Sequence, residues 1–301
     1  MSSIRPQSLN LTSHHARYPG IDPQSALRNS AVGKVVFISG ASRGIGKATA
    51  VAFAEAGAKA VYLTARSEEA LKETLALVQD ANPETHCAYM VCDVTNTEEV
   101  EAAVADCVAK FGAIDAADAN AGYLGPWVKI GETDPDNWWK CFEVNVKGAY
   151  NVVRFTLPHL IESAKRHAVI GGSGGHLIVV SSVGAQLLMK GASDYQTSKH
   201  AVNRLCEFVQ SDHDEDGIKA FAIHPGGVAT ELGLSMPDNM HAYLNDEPDL
   251  AACFAVWLCS GQADWAKGRY LSANWDVSEL SGLKDEIIAD ELLVNRLRGK
   301  A

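Results

Sequence analysis

The stretch Lys34–Ala56 constrains this chain more than any other. A β-branched apolar run, Lys34–Ser39, stops at the glycine-rich turn Gly40-Ala41-Ser42-Arg43-Gly44-Ile45-Gly46. An amphipathic segment follows at once, Gly44–Ala56, with Ile45, Ala48, Val51 and Ala52 on one helical face. A strand that feeds directly into a helix is the first half of a strand–helix–strand unit, the building block of a parallel sheet.

The alternation then repeats along the chain. Ala60–Thr64 reads as a strand. Ser67 caps a helix with Glu68 and Glu69 in its first turn and Leu71, Leu75 and Val78 as its buried stripe. His86–Cys92 is a strand, and Thr95 with Glu98 forms a capping box ahead of Val100, Val104 and Val108. Ile114–Ala119 is the next strand. Asp134 caps a long helix that opens on Pro135. Strands at His176–Ser181, Ile218–His224 and Arg269–Ala273 enclose helices at Tyr195–Ser211 and Pro248–Cys259. This pattern predicts an α/β fold, a Rossmann-like doubly wound parallel sheet of about seven strands with helices on both faces. One domain is expected over residues 34–275. Residues 1–33, rich in Ser, Pro, Asn and His and broken by Pro6 and Pro19, read as an N-terminal surface arm. Residues 276–301 read as a C-terminal helical extension, with Ile287, Ile288, Leu292, Leu293 and Leu297 along Lys284–Leu297.

Composition narrows the function classes. A net charge of −11 argues against a nucleic-acid or anionic-membrane partner. No apolar run is long enough to span a bilayer. The seven cysteines form no Cys-x-x-Cys and fall mostly in apolar runs, as in a reduced, cytoplasmic protein. The histidines show no ligand spacing, so no metal site is expected. Asn10-Leu11-Thr12 matches a glycosylation sequon, but no apolar signal peptide precedes it.

In a doubly wound sheet, ligands collect beyond the carboxyl ends of the strands. The glycine turn, the Asn120 segment, Ser182 and Pro225 all fall there. Glycines let a backbone approach a pyrophosphate, and a helix N-terminus favours its charge; an ordinary strand-to-helix turn presents the same glycines. The end of the second strand bears on cofactor choice. An acid there binds ribose hydroxyls, yet this chain has Ala65 followed by Arg66, and Arg43 lies in the glycine turn. Two guanidinium groups suit a 2′-phosphate, so NADP(H) is favoured over NAD(H). Tyr195 and Lys199 stand one helical turn apart on one face. A cation beside a phenol lowers its pKa toward the range where it exchanges protons near neutrality.

Together these features resemble the short-chain dehydrogenase/reductase family over about residues 33–275. Ser39–Gly46 is similar to its Thr-Gly-x-x-x-Gly-x-Gly, with Ser39 for threonine. Asp93-Val94 matches the pair that holds the adenine. Ala119-Asn120-Ala121-Gly122 resembles Asn-Asn-Ala-Gly, with Ala119 for the first asparagine. Asn145 falls at the catalytic asparagine, Ser182 at the serine thirteen residues before Tyr195, and Pro225-Gly226-Gly227-Val228-Ala229-Thr230 resembles the Pro-Gly-x-Val-x-Thr that closes on the nicotinamide.

The resemblance implies a catalytic set of Asn145, Ser182, Tyr195 and Lys199. It implies a cofactor set of Gly40, Ser42, Arg43, Gly44, Ile45, Gly46, Arg66, Asp93, Val94, Asn120, Ala121, Gly122, Tyr195, Lys199, Pro225, Gly226, Val228 and Thr230. Tyr195 is expected to protonate a carbonyl oxygen. Lys199 is expected to tune it and hold the nicotinamide ribose. Ser182 is expected to hydrogen-bond the same oxygen, and Asn145 to hold a water leading from Lys199 to solvent. Asp118 is expected to take over part of the bracing that Ala119 cannot supply. The expected substrate is a small carbonyl compound or alcohol with a hydrophobic body, walled by Tyr123, Leu124, Trp127, Leu187, Leu188, Met189, Leu232, Leu234, Met236 and Met240. An NAD-dependent alcohol dehydrogenase and a non-catalytic NADPH-binding regulator are the rival readings. A homodimer or homotetramer is expected, through Phe142, Tyr150, Val153 and Phe155 on one helix and Val202, Leu205 and Phe208 on another.

Overall fold

A computed structural model of the protein describes residues 9–297; Pro6 and the outer ends of both terminal segments lie outside that range. Seven strands form one sheet: β1 (Val35–Ser39), β2 (Ala60–Ala65), β3 (His86–Val91), β4 (Ala116–Ala119), β5 (His176–Val180), β6 (Lys219–His224) and β7 (Arg269–Ser272). Their order is β3-β2-β1-β4-β5-β6-β7, and every pairing is parallel. The order reverses between β1 and β4, which opens a crevice at their carboxyl ends.

The helices are α1 (Gly44–Glu55), α2 (Glu68–Ala81), α3 (Thr97–Phe111), α4 (Pro135–Phe142), α5 (Ala149–Val169), α6 (Ser193–His213), α7 (Glu231–Leu234), α8 (Pro248–Cys259), α9 (Val277–Gly282) and α10 (Lys284–Ala289). One core layer joins the sheet to α1, α2 and α8, and the other joins it to α3, α5 and α6. Strands covered on both faces are buried throughout and mostly apolar, as in β1, β2 and β5, where Ser39, Thr64 and His176 are the polar exceptions. Helix α8 is buried on every side from Leu250 to Cys259. Because α8 flanks it, α1 buries a wider face than its apolar stripe predicts: Gly46, Thr49, Ala50 and Phe53 are covered, while Ile45, Ala48 and Val51 are only half-buried.

Several local expectations need correction. The cap of α3 is Asn96, not Thr95. Its side chain accepts from the Glu98 and Glu99 amides, and the Glu99 carboxylate reaches back to Asn96 Nδ2 and the Asp93 N–H. The box is thus built one residue later, because Thr95 is engaged by Asp93. The described part of the N-terminal segment is more than a surface arm. Ile21, Leu27 and Ala31 are buried in the core layer of α1 and α8, and Ser13 bridges Trp275. The C-terminal helix does not run from Lys284 to Leu297. It ends at Ala289, and Glu291 and Leu293 adopt left-handed φ values of 48° and 63°. The turned chain lets the Leu293 carbonyl accept the Tyr270 N–H at 2.9 Å, which covers the outer edge of β7.

Candidate active site

The crevice starts at the glycine turn. Gly40 and Gly44 hold left-handed φ values of 68° and 54°. A Cβ on Gly46 would come within 2.5 Å of both the Gly40 carbonyl and Asn120 Nδ2. Asn120 explains this closeness. Its Nδ2 donates to the Ser39 and Gly40 carbonyls at 2.9 and 3.1 Å, and Ser39 Oγ accepts from the Asn120 and Ala121 amides. Asn120 therefore ties the end of β4 to the turn after β1. The brace expected of Asp118 is made by Asn120 instead. Asp118 points into the α1/α8 core layer, where its Oδ1 has no partner among the described residues, and burial pushes its carboxyl up to about 7. Arg43 occupies the N-cap of α1 without a side-chain cap, so the first amides of α1 have no side-chain acceptor at that position. An uncapped helix start behind left-handed glycines fits the pyrophosphate of a dinucleotide.

Along the β2–β3 side, Ala65 ends β2 and Arg66 is exposed beyond it. Burial pushes the Asp93 carboxyl up, but hydrogen bonds from the Thr95 N–H and hydroxyl and the charge of Arg66 outweigh it, leaving it below the usual range. The Val94 carbonyl accepts from Asn151 at 2.8 Å, which fixes this strand end against α5. Arg43 does not stand free: it is ion-paired with Glu231 at the start of α7.

The four expected catalytic residues converge. Ser182 follows β5, and its hydroxyl accepts the Gly184 N–H at 3.0 Å. Tyr195 and Lys199 lie on α6, with Lys199 Nζ 5.7 Å from the Tyr195 ring centroid and donating to the Val180 carbonyl at 2.7 Å. Asn145 sits in a π-helical turn, Glu143–Gly148, between α4 and α5. Its Nδ2 donates to the Tyr123 carbonyl and Ser198 Oγ, both at 2.9 Å, and its Oδ1 accepts the Tyr123 N–H at 2.8 Å. A Cβ on Gly122 would lie 3.6 Å from Asn145 Oδ1 and 3.7 Å from Lys199 Nζ, so these two groups flank one exposed glycine.

The electrostatics differ from the sequence expectation. Burial lowers Lys199 to about 8. Burial also raises Tyr195 to about 12, although part of its surface stays open to the crevice and the Ser182 hydroxyl pulls the other way. At Tyr195, removal from water outweighs the hydrogen bond to Ser182.

The remaining expected cofactor residues cluster across the crevice. Pro225, Gly226, Val228 and Thr230 follow β6, and a Cβ on Gly44 would come within 2.7 Å of the Thr230 methyl. Gly226 has a φ of 94° and lies against Asp246. Sequence reasoning missed Asp246, Ser198 and Glu231, which have no local motif.

The expected apolar walls divide. Leu124 is buried, whereas Leu188 and Leu234 are exposed at 86% and 53%. Two open depressions lie beside the crevice. One of about 330 Å³ is lined by Ile130, Pro135, Trp138 and Trp139; the other, of about 210 Å³, includes Asn137, Trp138 and Asp194. Neither is lined by Ser182, Tyr195 or Lys199, so neither is the reaction site itself. Of the apolar residues expected at a subunit contact, Val153 and Val202 face the core, whereas Tyr150 and Phe208 are exposed. Among the described residues there is no cluster suited to a metal ion and no helix long and apolar enough to cross a membrane.

A sheet that reverses order at a glycine-lined crevice, with Ser, Tyr, Lys and Asn side chains at its lip, defines a nucleotide-dependent oxidoreductase architecture. The family model for short chain dehydrogenase matches residues 34–240. The chain belongs to the short-chain dehydrogenase family, whose fold binds NAD(P), and it is an oxidoreductase by that membership. It is 40% identical over 287 residues to the short chain dehydrogenase citE of Monascus ruber, covering 94% of each chain. Among solved structures, it resembles levodione reductase with a TM-score of 0.72 at 26% identity, over 83% of this chain and 98% of the other. It also resembles an NAD+-bound xylitol dehydrogenase with a TM-score of 0.71 at 25% identity, over 80% and 98%.

Proposed function

We propose that the protein reduces a ketone or aldehyde with a hydrophobic body to the alcohol, or runs the reverse, with NADP(H) preferred over NAD(H). The convergence of Ser182, Tyr195 and Lys199 beside the glycine turn carries this reading. A bound nicotinamide supplies the hydride. The protein does the rest. Tyr195 stays protonated at neutral pH and donates its proton to the carbonyl oxygen. Ser182 hydrogen-bonds the same oxygen as charge grows on it. Lys199, held by Val180, presents its cation toward the phenol and the ribose. Asn145 aligns Ser198 and the Tyr123 loop, and the water relay to Lys199 belongs beside Gly122.

Exposed Arg66 beyond Ala65 supports the 2′-phosphate preference. A second reading, NAD(H) as the cofactor, draws on the engagement of Arg43 by Glu231. Seven unpaired cysteines support a reducing, cytoplasmic setting. Exposed Tyr150 on α5 and Phe208 on α6 support a homodimer or homotetramer. The test is a panel of ketones and aldehydes with NADPH oxidation followed by absorbance. Carbonyl-dependent oxidation is expected; none with any member of the panel, with either cofactor, overturns the reading.

A further inference from the structure

The loop after β6 is held from outside the region that defines the family. Asp246, between α7 and α8, is almost fully covered, with 5% of its side chain exposed. Its Oδ2 accepts the Gly227 N–H at 2.5 Å, and its own N–H donates to the Gly227 carbonyl at 2.9 Å. Its Oδ1 meets Nδ1 of His15 at 2.5 Å. A carboxylate only accepts, so the ring nitrogen facing it carries the proton. The His15 carbonyl in turn accepts the Glu247 N–H at 2.8 Å.

His15 is itself anchored. The preceding residues are bonded to the β7–α9 connection through His14 N–H to Asn274 O, Asn274 Nδ2 to His14 O, and Asp276 N–H to Thr12 O. The Thr12 hydroxyl donates to Glu279 at 2.7 Å. The far end of the loop reaches the glycine turn, where the Thr230 methyl lies against Gly44. One continuous set of contacts therefore runs from the N-terminal segment through His15, Asp246 and Gly227 to Thr230 and Gly44.

We propose that His15 is a positioning residue for the loop Pro225–Thr230, acting through Asp246, so that the N-terminal segment sets how firmly the dinucleotide site closes. The part of this inference that concerns the dinucleotide rests on the proposed function; the part that concerns the loop does not. Gly226 and Gly227 have no side chains to fix the backbone, and Gly226 is left-handed. Such a backbone takes its position from its hydrogen bonds. Removing the His15 contact leaves Asp246 Oδ1 without its partner and frees the carboxylate to turn.

Two measurements on the full chain test this. The first is amide hydrogen exchange at Gly227 in the protein without nucleotide. His15→Ala is expected to speed exchange by roughly tenfold, the low end for a charge-assisted hydrogen bond because His15 is half exposed. His15→Asn puts an amide donor where Nδ1 stood and is expected to restore protection. Unchanged exchange in His15→Ala, or equal acceleration in His15→Asn, overturns the inference. The second is NADPH affinity by fluorescence. His15→Ala is expected to raise Kd by about tenfold and leave kcat at saturation within about twofold, with His15→Asn again close to the unmodified protein. Faster exchange with an unchanged Kd overturns the inference, because the His15–Asp246 contact would then position the loop without affecting the site. If the unmodified protein binds neither NADPH nor NADH, the functional reading falls, and the exchange result alone still decides the role of His15.

Discussion

Lys199 Nζ donates to the carbonyl oxygen of Val180 at 2.7 Å, tying α6 to the last residue of β5. The bond fixes the ammonium under the Tyr195 ring, in a place where burial lowers its pKa to about 8. The lysine therefore loses its charge as pH rises through about 8, while Tyr195 keeps its proton until about 12. Carbonyl reduction should fall on the alkaline side with a midpoint near the lysine value, before the tyrosine titrates. The kcat/KM profile for reduction checks this; a profile flat to about pH 10 contradicts it.

Tyr195→Phe removes only the hydroxyl. Turnover should drop by about 10²–10⁴-fold while nucleotide binding survives. Ser182→Ala should cost about 10²–10³-fold, and the double variant far less than the product, because both groups act on one oxygen. Single-turnover hydride transfer with any accepted ketone measures both.

Arg66→Ala should weaken NADPH by roughly 1.5–3 kcal/mol and leave NADH nearly unchanged. Glu231→Gln should act in the opposite direction by releasing Arg43, by less than about 1 kcal/mol, because that ion pair is largely exposed. Titrating the unmodified protein and both variants with each nucleotide separates the cofactor readings. Equal Kd values for NADPH and NADH in the unmodified protein count against the preference.

Asp118 is a buried carboxyl raised to about 7. A raised acid binds more protons in the folded state than in the unfolded state, so its contribution is present at low pH and lost as pH rises through about 7. Asp118→Asn should therefore be near neutral at about pH 4 and stabilising by roughly 2–4 kcal/mol at about pH 8. Buried His176, lowered to about 4, acts with the opposite sign, and its contribution fades as pH falls below its unfolded value. Comparing the two proteins by denaturant unfolding at both pH values isolates the aspartate; an equal difference at the two values contradicts the assignment.

Gly46→Ala places a methyl against the Gly40 carbonyl and Asn120 Nδ2. Both belong to the brace between β1 and β4, so neither yields without moving the turn. Stability should fall by about 1–3 kcal/mol, and dinucleotide affinity should fall with it. Thermal unfolding and nucleotide titration read the two effects separately.

Periodic and local signals made much of this architecture legible in the amino-acid order. Strand and helix positions follow from apolar runs covered on both faces and from caps such as Ser67 and Asp134, whose side chains accept amides only a few residues away. The glycine turn and the Tyr195–Lys199 spacing are likewise short-range facts. The failures are long-range. Thr95 looked like a cap because its bond to Asp93 is not written in the capping pattern. Val153 and Val202 looked like interface residues because an apolar residue does not say which core layer or surface it faces.

By itself, then, the sequence determined the parallel α/β sheet and the residue types at its carboxyl edge, because period, capping and glycine geometry act within a few residues. Only the tertiary structure decided what those residues do to one another. It made Asn120 the brace in place of Asp118 and engaged Arg43 with Glu231. It drew His15 across 231 positions to Asp246. It also moved Tyr195 and Lys199 away from their expected pKa values, because burial is the largest cause of both shifts and is a property of the packed chain.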